Sequence, residues 1–144
     1  MITGPGGKRC DERISQKKIT LSGSQTSTLY LLNPQEQEVE RIEVDGCAIT
    51  VGLRCDWLVC VEEGGSREEI FVELKGSDIN HAIQQIEATI PQLSSNATQG
   101  RKRCLVALTR NPLSGTDINK HQIRFKKHYN ARFLPVRDGA EVPL

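Results

Sequence analysis

Residues 55–90 read CDWLVCVEEGGSREEIFVELKGSDINHAIQQIEATI, and this stretch decides the fold. Cys55 to Glu62 is strand-like, Gly64-Gly65-Ser66 closes a hairpin, and Glu69 to Lys75 forms the return strand. Ser77 or Asp78 then caps a helix that Pro91 is expected to stop near Ile90. Ile79, Ala82, Ile83, Ile86 and Ile90 recur at helical spacing and make its apolar stripe. Side chains two apart on a strand share a face. Glu73 and Lys75 therefore project together, while Leu74 turns the other way. Asp56 shares a face with Leu58, and pairing of the two strands brings it within reach of Glu73.

Working outward, Met1 to Gly7 reads as a frayed Gly/Pro-rich tail, and Lys8 to Ser15 as a short helix carrying Asp11, Glu12 and Arg13. Lys18 to Leu21 and Thr28 to Leu32 are strands flanking a polar turn, and Asn33-Pro34 marks another turn. Val39, Ile42 and Val44 form a strand, Asp45-Gly46 signals a hairpin, and Cys47 to Gly52 is its expected return strand. Beyond the central helix, Leu93 to Gly100 is a polar loop and Cys104 to Leu108 a buried strand. Asp117 to Tyr129 is a second helix, capped by Thr116 or Asp117, and Arg132 to Val136 a last strand. This order predicts a single α/β domain over residues 1–144 with one mixed sheet.

Composition agrees with a globular chain: 37% of the 144 residues are apolar and 26% charged. No apolar run approaches the roughly 20 residues of a membrane span. The N-terminus has no apolar h-region, so no signal peptide is expected. Five cysteines without a Cys-x-x-Cys box predict reduced, structural thiols in a cytoplasmic protein. Residues 1–76 hold 9 Lys/Arg and 13 Asp/Glu, whereas residues 77–144 hold 10 and 5. An acidic centre beside a basic half suits a metal site next to a polyanion groove. Arg101, Lys102, Arg103, Arg124, Lys126 and Lys127 are the expected phosphate contacts. Aromatic residues make up only 4%, which argues against an extended base-stacking platform. Trp57 is expected in the core and His81 on the surface.

Magnesium takes oxygen ligands and keeps several waters, so two carboxylates plus substrate phosphate oxygens meet its needs. A lysine nearby can orient the attacking water or stabilise charge on phosphorus. A Glu-x-Lys pair alone is an ordinary solvated ion pair worth little. The carboxylate on the preceding strand, the apolar Ile70-Phe71-Val72 run and the helix that follows give it weight here.

Cys55-Asp56-Trp57-Leu58-Val59, the glycine hairpin, Phe71-Val72-Glu73-Leu74-Lys75-Gly76 and the following helix together resemble the PD-(D/E)XK nuclease superfamily. The likeness spans residues 40–110 and is loose over residues 1–39. It implies a restriction-endonuclease-like three-layer core, a mixed β-sheet flanked by helices. It implies a nuclease that hydrolyses phosphodiester bonds with Mg2+ or Mn2+, with DNA favoured over RNA and endonuclease over exonuclease action. Asp56 and Glu73 take the metal-ligand positions and Lys75 that of the lysine. Gln85 is the best match to a glutamine on the following helix, and Gln84 the second. A further acid on an N-terminal helix often completes the metal site. Glu12 is the candidate, with Glu40 and Glu43 as weaker choices. Cys55 replaces the usual proline before the motif aspartate. A homodimer is expected if both strands are cut. The alternative is a nuclease-like fold without activity, serving as a nucleic-acid-binding or protein-interaction module.

Overall fold

The predicted hairpin is the centre of the structure, a computed structural model that describes residues 1–23, 27–74, 78–109 and 114–144. Strands β5 (Trp57–Glu63) and β6 (Ser66–Leu74) pair antiparallel, with Trp57 opposite Val72 and Glu63 opposite Ser66. Gly64 and Gly65 make the turn with φ of 57° and 81°, a left-handed pair that side chains with a Cβ adopt at a cost. The other elements are β1 (Asp11–Ile14), β2 (Lys18–Ser22), β3 (Thr28–Leu32), β4 (Val39–Glu43), α1 (Ile79–Leu93), β7 (Arg101–Leu108), α2 (Gly115–Tyr129), β8 (Ala131–Arg137) and β9 (Glu141–Pro143).

A six-stranded mixed sheet runs in the order β1-β4-β5-β6-β7-β8. Its first four strands are antiparallel, and β6, β7 and β8 are parallel through α1 and α2. Alternation sorts its side chains cleanly. Leu58, Phe71, Cys104 and Val106 meet α1 and Phe125 of α2 on one face. Val59, Ile70, Val72 and Leu105 meet Ile19, Leu21, Leu29 and Leu31 on the other. Those last four belong to a separate three-stranded sheet, β2-β3-β9. Among the described residues the protein is thus α/β with a mixed sheet and two α-helices, though mostly strand. One outer layer is a small sheet, where helices were expected on both sides.

Several other expectations are corrected. The residues expected to form an N-terminal helix instead form β1, an edge strand paired with β4. Its charged run looks helical locally, but pairing decides the conformation, since strand preference depends strongly on context. Residues 1–7 are bound to that strand, with Cys10 N–H donating to Ile2 O and Ile2 N–H to Asp11 Oδ1. Residues 47–52 make turns, because Ala48 and Ile49 N–H bond back to Glu43 and Val44 O. Pro91 lies inside α1, whose last turn persists because Leu93 packs on the core and Ser94 N–H reaches Ile90 O. Ser114, not Thr116 or Asp117, caps α2. β9 was not anticipated.

The expectation of five reduced thiols also fails. Cys10 and Cys47 form a disulfide, while Cys55, Cys60 and Cys104 are free and buried. Gly4 packs on this bond so closely that a Cβ would lie 2.9 Å from the Cys47 sulfur. The crosslink spans a sequence separation of 37 residues, a loop whose closure is worth about 2–4 kcal/mol through the unfolded chain. Adding a dithiol reductant should lower the urea unfolding midpoint accordingly. C10S/C47S should show the same lower midpoint with or without reductant.

Candidate functional site

Asp56 directly precedes β5, whose pairing with β6 begins at Trp57 opposite Val72, so the expected strand over Cys55 to Glu62 starts two residues later and Asp56 sits at its entry. Within β6, Glu73 alternates in phase with Phe71 of the helix-covered face. Asp56 N–H donates to Val72 O at 3.1 Å, and Asp56 O accepts from Val44 N–H at 3.0 Å. Asp56 Oδ2 accepts from Leu74 N–H at 2.8 Å, so this carboxylate is held at the end of the β6 backbone. Glu73 is 2% exposed. The pair lies where β6 ends and α1 is about to begin, at the carboxyl edge of parallel strands where α/β proteins commonly bind ligands. Lys75 lies outside the described residues.

Helix α1 starts at the Asp78 cap, whose carboxylate accepts from His81 N–H. One turn further, Gln85 Nε2 donates to Arg54 O at 3.0 Å. Its Oε1 is buried and has no hydrogen-bond partner among the described residues. Gln84, the second choice, is exposed. Thr89 accepts from Cys55 N–H at 2.8 Å and donates to Gln85 O at 2.8 Å. Sequence reading missed Thr89. The available signal was a polar residue between Ile86 and Ile90, four positions after Gln85, within the buried stripe. Burial above all, with the Glu73 and Asp56 charges adding to it, pushes the Cys55 thiol up to about 12. That thiol stays protonated and acts as a small apolar group.

The structure does not bring Glu12 to this pair. Glu12 sits on β1 across from Arg41, which faces Val59, on the sheet side turned toward β2 and β3. Its carboxylate is ion-paired with Arg41. Glu43 lies on that side too and pairs with Lys8 at 2.8 Å. Glu40 is opposite Cys60, four residues and roughly 13 Å along the strand from Asp56. Among the described residues, no group of three His, Cys, Asp or Glu gathers to hold a metal.

Two of the expected phosphate contacts are structural. Lys102 is 1% exposed, and its ammonium donates to Asn96 O, Gly100 O and Tyr129 O. Arg103 is buried against Pro143 O and Glu68. Arg124 is held by Glu87 at 2.6 Å. Arg101, Lys126 and Lys127 are exposed. Trp57 is half-buried on the small-sheet side, with Nε1 donating to Ser22 O.

Glu87 joins the two helices by accepting from both Arg124 and Tyr129, the latter at 2.7 Å. Burial alone would raise its pKa, but those two donors outweigh it and hold the carboxyl below its ordinary 4.5. A depressed carboxyl stabilises the fold above the unfolded-chain value and loses that contribution as pH falls through the folded value. Wild type should therefore lose stability below pH 4.5. E87Q should show a flatter acid limb in urea unfolding followed from pH 7 to 3.

No family model, curated protein or solved structure matches this chain. Among the described residues, no helix is long and apolar enough to cross a membrane. The donors at the edge of the sheet are hard oxygens, which fit a divalent cation that keeps its waters.

Proposed function

We propose that this protein is a metal-dependent nuclease of the PD-(D/E)XK type, acting on DNA in preference to RNA. The observation that carries the reading is the seating of Asp56 at the end of β6, its Oδ2 accepting from Leu74 N–H, next in chain to the buried Glu73. Asp56 and Glu73 would hold Mg2+ or Mn2+. That ion, when bound, would supply Lewis acidity to the scissile phosphate and to the attacking water. Two carboxylates suffice for such an ion, so Glu12 is not needed.

The chain's own groups have separate tasks. The Leu74 N–H orients Asp56. Lys75 is assigned to the attacking water or to the charge that grows on phosphorus. Gln85, anchored on Arg54 O, presents its side-chain carbonyl beside the segment that leads into Asp56. Arg101, Lys126 and Lys127 would contact the phosphate backbone. We assign β4, β5, β6, α1, β7, α2 and β8 to a restriction-endonuclease-like core, with β1 and the small sheet added to it. Cutting both strands would call for a homodimer.

The test uses supercoiled, linear and single-stranded DNA and RNA, each in Mg2+ or Mn2+, with D56A and K75A alongside. Wild type should cut DNA and both variants should not. Equal inactivity of all three on every substrate would leave the inactive, binding-module alternative in its place.

A further inference from the structure

We infer that Thr89 is a positioning residue for Asp56, an inference that rests on the metal site proposed above. Cys55 and Thr89 are both fully buried. Cys55 N–H donates to Thr89 Oγ1, so the hydroxyl proton is left to bond Gln85 O. Gln85 then returns to the same segment through Nε2 and Arg54 O. Helix α1 thus grips two consecutive residues, Arg54 and Cys55, directly before Asp56.

The strand ladder holds Asp56 along the sheet through Val44 and Val72. The helix grip sets the height of that strand entry above the sheet, and with it the relation of Asp56 to Gln85. The position needs a small side chain that both accepts and donates, which a hydroxyl provides and an apolar isostere does not. Without it a buried N–H is orphaned, and the segment shifts to find a partner. Groups that orient metal ligands typically change metal affinity or activity by 10–100-fold when removed.

The experiment measures Mn2+ affinity by calorimetry, and kcat and KM on DNA, for wild type, D56A, T89V, T89A and T89S. Thermal unfolding of each is recorded in parallel. T89V keeps the bulk and T89A avoids any strain, so at least one of the two serves should the other fail to fold. The expected result is a roughly tenfold loss of Mn2+ affinity in T89V and T89A, lower kcat at unchanged KM, and rescue of both by T89S. If T89V and T89A bind Mn2+ as wild type does while D56A does not, the role of Thr89 falls and the metal site stands. If all three Thr89 variants lose affinity only in proportion to lost thermal stability, Thr89 is merely structural and the inference falls. If D56A itself binds Mn2+ like wild type, the proposed function falls and takes this inference with it.

Discussion

Replacing Asp56 with asparagine should abolish Mn2+ binding and slow phosphodiester cleavage by at least about a thousandfold, with little change in folding. That size would follow from the loss of a preorganised charge at the proposed metal site. The choice of asparagine matters. Asp56 Oδ2 accepts from Leu74 N–H, so D56A also leaves that donor without its acceptor and costs about 1–3 kcal/mol of stability. Asparagine keeps a carbonyl for Leu74 while removing the charge and turning the other oxygen into an NH2 donor. Calorimetry with Mn2+, single-turnover cleavage and urea unfolding on the same preparation separate the two effects. An active D56N would sink the metal-dependent mechanism.

The second large effect is on stability. Lys102→Ala should destabilise the fold by about 1–3 kcal/mol, the scale for leaving buried acceptors without their donor. Lys102 Nζ lies 2.6 Å from both Asn96 O and Gly100 O and 3.0 Å from Tyr129 O. It pins the loop after α1, the start of β7 and the end of α2 to one point. Alanine leaves three inward carbonyls without their donor. Burial also lowers the Lys102 pKa, because the ammonium has exchanged water for these carbonyls. Urea midpoints measure the loss. Nucleic-acid binding, by contrast, should respond to R101A, K126A and K127A, whose side chains reach solvent.

Local sequence signals were sufficient wherever they were consistent with one another. The glycine turn, the alternation through β5 and β6 and the isoleucine stripe of α1 all agree, and all three elements form, with β5 starting at Trp57 and α1 running past Pro91 to Leu93. Asp11 to Ile14 is different, because its charges and short length carry no strand signal. Only pairing with β4 makes it a strand. That same pairing turned Glu12 away from the candidate site. Lys102 and Arg103 look like surface cations in sequence. Their burial depends on carbonyls contributed by Asn96, Tyr129 and Pro143, which are distant from one another along the chain.

Sequence alone therefore determined the central hairpin and the helix after it, because strand and helix periods are local properties of the backbone. Tertiary structure decided the rest. The small second sheet, the Cys10–Cys47 bond, the fate of each basic residue and the Thr89 grip on Cys55 all arise from contacts between segments far apart in the chain. Such contacts leave no periodic mark, since their free energy comes from burying partners together and satisfying polar groups that no single segment can satisfy.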